Sequence, residues 1–201
     1  MSTIVAVRKG NKAVIASDSL YTQGSLKVSP NIKVNHHKIY AVKDAYVGFT
    51  GWSAMSIIFE SIAEKYPKKL DFRSRKHVFQ TFLFLHKKLK EEYFVETKER
   101  DDQPVESSQW DCVILTPSSI FSVQSYREVM ECRRYWAEGS GIRFALGAMH
   151  ATYDLYDDPE KIARAGIEAA SEFDDASALP AQIYTLDVRS PLKAERAKSS
   201  S

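Results

Sequence analysis

Apolar positions along the chain change period four times, and each change marks a change of element. Residues 3–7 and 13–16 are short apolar runs separated by Gly10-Asn11, a pattern that predicts a β-hairpin opening at residue 3. Residues 32–34, 39–42 and 46–50 read as further strands. Met55, Ile58, Phe59, Ile62 and Tyr66 then recur at three- and four-residue spacing and are followed by Pro67, which predicts an amphipathic helix with a stop signal. A second helix is predicted over 75–95, with Val78, Phe82, Leu85, Leu89 and Tyr93 on one stripe. Its other face carries Lys87, Lys88, Lys90, Glu91 and Glu92, which reads as a solvated face. Residues 97–108 are polar and hold Pro104, which predicts a mobile loop. Strand character returns over 110–116, 120–124 and 128–132. Helical stretches follow over 142–156 and 160–172, divided at Asp158-Pro159, and a strand over 181–188 closes the pattern.

The order is therefore strands, two helices, strands, two helices, strand. Helices that come in pairs after groups of strands argue against parallel βαβ units and for antiparallel sheets covered by helices. The expected fold is α+β, two sheets face to face with a helix pair outside each: a four-layer αββα sandwich. At 201 residues the chain is of one-domain size. Residues 1–188 form that domain in this reading, and 189–201 form a basic, Ser-rich, flexible tail.

Charge narrows the function classes. Lys and Arg number 28 and Asp and Glu 26, a net charge of +2. The tail carries Arg189, Lys193, Arg196 and Lys198 against Glu195, which leaves about −1 on the body, unlike a nucleic-acid binder. Arg133-Arg134 and Lys68-Lys69 accordingly read as solvent-facing. No apolar run reaches the roughly 18 residues of a membrane span, and the run at 4–7 is too short for a signal-peptide core, so the expected location is cytoplasmic with no membrane partner. Cys112 and Cys132 make neither a disulfide framework nor a Cys-x-x-Cys site and read as buried thiols. Adjacent His36 and His37 would point to opposite faces of a strand, which argues against a shared metal. No metal is expected there.

The first residues carry the sharpest chemistry. Ser2 is small, so Met1 should be removable, and an apolar strand follows with none of the slack usual at a terminus. A terminal Ser unites a hydroxyl nucleophile with an α-amine whose ordinary pKa of about 7.7–8.0 suits a general base. Keeping that amine neutral calls for a nearby cation, and the cation calls for a carboxylate.

With that requirement stated, the opening Ser2-Thr3-Ile4-Val5 resembles the N-terminal-nucleophile proteases of the proteasome beta type. The similarity is to the bacterial HslV-like branch, with the betaproteobacterial proteasome homologues as the side branch it points to. The similarity continues through Val14-Ile15-Ala16-Ser17-Asp18, whose Asp is the family's partner of the catalytic Lys. Thr22 matches the Thr whose backbone lines the peptide cleft. Asn31-Ile32-Lys33-Val34 resembles the segment carrying the catalytic Lys, at the cost of one deletion between 22 and 31. Gly48-Phe49-Thr50-Gly51 resembles the strand end that forms the oxyanion hole, with Gly51 as donor and Phe49 facing the pocket for the residue before the cut bond. Gly139-Ser140-Gly141 matches the turn whose Ser contacts the terminal amine. Asp174 and Ser177 match the family's Asp-x-x-Ser element, with Asp175 as the alternative one register away.

No one of these elements is specific; six in the right order over residues 2–188 are. Taken singly, Asp18 would be a turn residue, Lys33 a solvated strand lysine, Ser140 a cap, and Asp174 and Ser177 helix-end polar groups.

The resemblance implies a self-compartmentalising peptidase. Ser2 is the nucleophile, Asp18 and Lys33 tune it, Gly51 serves the oxyanion, and Ser140, Asp174 and Ser177 orient the amine, while Thr22 and Phe49 bind substrate. It implies no cofactor or metal, and stacked homo-oligomeric rings, hexameric or heptameric, acting on peptides or unfolded protein, with room for an AAA+ ATPase regulator. Two other readings stay open: a small-molecule amidase of the same fold, and a catalytically weak or silent ring serving as a binding shell. Three departures bear on rate. Ser2 stands where the family has the stiffer Thr, which predicts slower hydrolysis; Trp52 stands where it has a second Gly, and Ala178-Leu179-Pro180 where it has a Gly-rich turn.

Overall fold

The structure is a computed structural model that describes residues 2–35 and 37–188. The expected tail at 189–201, Met1 and His36 lie outside the described residues.

The hairpin at the start of the chain is β1 (Thr3–Lys9) and β2 (Lys12–Ser17), paired Lys9 to Lys12 around Gly10, whose φ of +60° only a glycine adopts readily. A second hairpin, β3 (Tyr21–Gln23) and β4 (Leu26–Val28), follows where no strand was expected. The expected strand at 32–34 does not form. Ile32 is 77% and Val34 92% exposed, so no sheet offers that stretch a buried face. Next come β5 (Ile39–Val42) and β6 (Ala45–Gly51), then α1 (Ala54–Lys65), a 3₁₀ turn at Pro67–Lys69, and α2 (Arg75–Glu91). The latter is capped by the Ser74 side chain and ends four residues before the expected boundary, just ahead of Phe94, which has a φ of +54°.

The polar stretch that follows is a loop, but a tethered one. Gln103 bonds the Thr97 and Val105 carbonyls, and His86 of α2 bonds Ser108 and Glu106. Three strands come next, β7 (Trp110–Leu115), β8 (Ile120–Val123) and β9 (Val129–Cys132), as expected. An unexpected strand, β10 (Tyr135–Gly139), precedes α3 (Ile142–Thr152) and α4 (Pro159–Phe173), and β11 (Gln182–Asp187) closes the fold.

Beside the two-stranded β3–β4 hairpin, two larger antiparallel sheets result. One has the order β10-β1-β2-β11 and the other β5-β6-β7-β8-β9. Period-two geometry sends alternate residues of each strand to opposite faces. Ile4, Ala6 and Ile15 of the first sheet meet Ile39, Val113, Leu115 and Ile120 of the second in a middle layer. The other face, Val5, Val7, Val14 and Ala16, packs on Ala145 and Met149 of α3 and Ile162 and Ile167 of α4. The second sheet turns Val47, Cys112, Ile114 and Phe121 to Phe59 and Ile62 of α1 and Phe82, Leu85 and Leu89 of α2. Helix pair, sheet, sheet, helix pair is the expected αββα sandwich. It explains why β1 is apolar at every position from Ile4 to Val7: both of its faces are buried.

Candidate active site

Register brings the sequence-predicted residues to one end of the sandwich. Ser2 precedes β1 and is 8% exposed. Its carbonyl accepts from the Ser140 N–H at 3.1 Å, and Thr3 pairs with Gly139. This junction needs glycine at 139. Its φ is +102°, and a Cβ there would lie 1.8 Å from the Ser2 carbonyl oxygen. The strand end is thereby clamped against β10 with no space for a side chain between.

Asp18 leaves β2 beside that clamp and is fully buried. Four donors surround its carboxylate. Oδ1 accepts from the Thr3 N–H at 2.9 Å and from a lysine Nζ at 2.7 Å; Oδ2 accepts from Leu20 N–H at 2.9 Å and Ala178 N–H at 3.3 Å. A buried carboxylate is tolerable when every lone-pair direction is used in this way.

The lysine on Asp18 is Lys38, where sequence reasoning put Lys33. The correction has a structural cause. Lys38 immediately precedes β5, and its carbonyl accepts from the Phe49 N–H at 3.0 Å, so its backbone is fixed against β6. Lys33 belongs to the irregular segment between β4 and β5 and rests its ammonium 3.9 Å from the centre of the Tyr21 ring. The signal for Lys38 was in the sequence. It stands directly before the apolar run at 39–42, whereas Lys33 is five residues further from that strand. Burial depresses the Lys38 pKa, the attraction of Asp18 opposes that, and the Lys33 ammonium adds to the depression.

On the other side of Ser2, a hydroxyl network converges on Asp174. Ser140 Oγ donates to its Oδ2 at 2.8 Å and Ser177 Oγ at 2.7 Å, and Ser177 Oγ also meets Thr3 Oγ1 at 2.7 Å. Asp174 is the C-cap of α4. The register with Asp174, not Asp175, is therefore the one that meets Ser140 and Ser177.

A cavity of about 240 Å³ opens in front of Ser2. Thr22, Lys33, Lys38, Phe49 and Gly51 contribute to its walls. Phe49 is 6% exposed and packs on Phe59 and Trp110 at ring separations of 4.6 and 4.9 Å, so its position is set by the core beneath it. Gly51 ends β6 with a φ of +108°. Trp52 also lines the cavity but is 62% exposed, which places it at the rim.

Both thiols are remote from this chemistry in character. Burial raises Cys112 well above the usual thiol range and Cys132 to about 11, so both stay protonated. Among the described residues no helix is long and apolar enough to cross a membrane, and no group of three or more His, Cys, Asp or Glu is placed to hold a metal ion.

Comparison with known proteins gives the family. No protein-family model and no curated protein matches the chain. Among solved structures, Thiobacillus denitrificans BPH, a bacterial proteasome homologue, is similar at 37% identity and a TM-score of 0.87, over 93% of this chain and 98% of that one. The same protein in complex with epoxomicin is similar at 36% identity and a TM-score of 0.87, over 93% of this chain and 99% of that one. HslV of Trypanosoma brucei shares the fold at a TM-score of 0.68 and 22% identity, over 92% and 99% of the two chains. With its two-sheet sandwich and an identity of this size over almost its whole length, the chain belongs to the proteasome beta-subunit and HslV-like family of N-terminal nucleophile hydrolases, among the bacterial proteasome homologues.

Proposed function

We propose that the protein is a proteasome-type peptidase in which removal of Met1 frees Ser2 as the nucleophile. The Ser2 hydroxyl attacks a peptide carbonyl, and the Ser2 amine takes the proton directly or through one water. As the tetrahedral intermediate collapses, the C–N bond breaks, the Ser2 ammonium returns its proton to the departing amine, and water then hydrolyses the remaining ester to release the acid and regenerate the Ser2 hydroxyl. The observation that carries this reading is the Lys38–Asp18 pair at 2.7 Å, in which the carboxylate oxygen that accepts from Lys38 also accepts from the Thr3 N–H, while Lys38 lines the same cavity as Ser2. Such a pair supplies a fixed positive field, which favours the neutral amine and the developing alkoxide. Lys38 takes the role first read for Lys33. The Gly51 N–H serves the oxyanion, a contribution on the order of 3 kcal/mol for one such donor. Ser140, Asp174 and Ser177 position the terminus, and Thr22 and Phe49 contact the substrate.

A hydrolase of this kind is safe in the cytoplasm only when enclosed, and stacked hexameric or heptameric rings of this chain provide the enclosure, fed by peptides or by an AAA+ ATPase that unfolds proteins. Ile57, Phe144, Phe173 and Leu179 are 63, 40, 68 and 51% exposed, which supports contacts with further copies. Binding of epoxomicin by the Thiobacillus denitrificans relative makes that compound a rational ligand for this chain too. Hydrolysis of fluorogenic peptides tests the reading. Ser2→Ala should abolish turnover, and Ser2→Thr should match or exceed the natural protein. Undiminished turnover in Ser2→Ala would end the proposal.

A further inference from the structure

A second groove, of about 340 Å³, adjoins the cavity before Ser2, and Trp52 belongs to the walls of both. Ile58 of α1 and Tyr93 and Val95 after α2 also line the groove, and all three pack on the core beneath. Trp52 and Phe94 are different. Both line the groove, neither is part of that core, and their rings are 62% and 85% exposed. Phe94 is unusual in its backbone as well. Its φ of +54° lies in the left-handed region, which a bulky residue enters at a cost and a glycine enters freely. Gln109, on the same groove, has a φ of +62°. Of the four non-glycine residues with positive φ among the described residues, two therefore meet here. Backbone strain that persists in this way gathers at ligand-binding positions. At Gln109 it is held in place: the N–H donates to Ser107 Oγ at 3.0 Å and Nε2 donates to the Glu96 carbonyl at 3.0 Å. The Gln109 carbonyl in turn lies against Gly51, 3.4 Å from where a Cβ would stand, so the groove is fixed to the strand end that also lines the Ser2 cavity.

We propose that this groove is an accessory subsite in which Trp52 and Phe94 take up a large apolar side chain, leucine or an aromatic, from the peptide held before Ser2. The inference rests on the peptidase reading above and names a substrate feature of that same site. Continuity identifies the occupant. Trp52 directly follows Gly51 and forms part of both walls, so a chain that leaves the Ser2 cavity on this side passes over its indole into the groove. Phe49 faces the residue before the cut bond in that reading, which leaves the groove to a different residue of the same peptide. The chemistry of the walls selects an apolar side chain. Glu96 is the one charged residue on the groove among the described residues, and its carboxylate accepts from the Lys98 N–H at 2.8 Å. An apolar side chain between the two rings removes its own surface and theirs from water, whereas an acidic one meets Glu96 and no cation. Because the rings stay solvated until a peptide arrives, the gain appears in substrate binding and not in the chemical step.

The test is a set of internally quenched peptides with a constant residue before the cut bond, in which each of the other three positions on either side is in turn Phe, Leu, Ser or Glu. In the natural protein one position should prefer Phe and Leu over Ser and Glu by at least about tenfold in kcat/KM, the order expected for burying one such side chain. Phe94→Gly should erase that preference through KM, with kcat and the Ser peptide unchanged. Its Tm should hold or rise, because glycine suits the left-handed backbone, so a loss of structure cannot account for the effect. Phe94→Tyr should keep the preference, and Trp52→Gly should lower it. Cleavage with no such position, or a preference unmoved by Phe94→Gly, overturns this inference alone. A fall in the native mass of Phe94→Gly by sedimentation would show that the groove seats a second copy of the chain, and overturns it too. Absence of cleavage of every peptide overturns the peptidase reading, and this inference with it.

Discussion

At the scale of single residues, the site turns on which lysine meets Asp18. Both candidates were visible in the sequence, and similarity of the local string favoured Lys33. Backbone context decides for Lys38, which a strand holds in register while Lys33 sits in an irregular loop. Lys38→Met should therefore lower kcat/KM at least a hundredfold toward a leucine peptide, and Lys33→Met less than tenfold, in parallel steady-state assays. The reverse ranking would restore Lys33 to the nucleophile. Asp18, Ser140 and Asp174 each follow directly on a regular element, where sequence spacing converts into position, and Ser177 lies in the short connection after α4. A second residue-scale consequence lies away from the site. Glu138 is 5% exposed in the sandwich, where its Oε1 accepts from Ser122 Oγ at 2.5 Å and Trp136 Nε1 at 2.8 Å. Burial raises its pKa against the lowering pull of the Ser122 and Trp136 hydrogen bonds, so folding favours the protonated acid relative to the unfolded chain. Its contribution is then full below the ordinary carboxylate pKa and is lost as pH rises through the raised native value. Glu138→Gln keeps both acceptor bonds without the charge. It should raise Tm by about 2–4 °C at pH 8, the equivalent of roughly 1 kcal/mol in a chain of this size, and by less at pH 4.5. Calorimetry at the two pH values reads the difference, and a uniform effect would contradict the assignment.

At the scale of elements, the apolar period located all four helices and most strands. It missed β3, β4 and β10 and placed a strand at 32–34 that does not exist. The reason is the same in each case. A three- to five-residue strand is stabilised by its partner, not by its own pattern. Tyr135–Gly139 is a strand because β1 lies beside it, with Val5 opposite Ala137 and Thr3 opposite Gly139. Ile32 and Val34 have the right composition and no partner sheet. The β1–β10 junction yields a paired prediction. Gly10 and Gly139 both have positive φ, so an alanine at either pays the left-handed backbone cost of about 1–2 kcal/mol. A Cβ at Gly10 meets nothing within 4 Å, whereas one at Gly139 strikes the Ser2 carbonyl oxygen. Gly139→Ala should therefore lose at least about 2 kcal/mol more in urea melts than Gly10→Ala, and turnover with it, because the strand end that holds Ser2 must move. Equal losses would show that the junction has slack.

At the scale of the whole molecule, the grouping of helices in pairs after groups of strands was enough to reach the αββα sandwich, since each apolar face must find a covering layer. Assembly was less legible, because an exposed apolar residue on one chain does not identify what covers it. Phe144 and Phe173 pack on each other at a ring separation of 5.6 Å on the outer face of the α3–α4 layer, yet both remain open to solvent. Sedimentation equilibrium should give a mass of 12 or 14 chains if stacked six- or seven-membered rings form. Phe144→Ser with Phe173→Ser should shift that mass downward. A monomer in the natural protein would favour a small-molecule amidase on the same scaffold.

The proposed peptidase requires that processing leave Ser2 as the first residue and make it the reactive one. Intact-mass spectrometry before and after treatment with a β-lactone probe tests both halves together. The expected result is a chain lighter by one methionine that gains one probe molecule, mapped to Ser2 and absent from Ser2→Ala. A peptidase that turns over substrate with Met1 retained, or an adduct that maps to any other side chain, would contradict it.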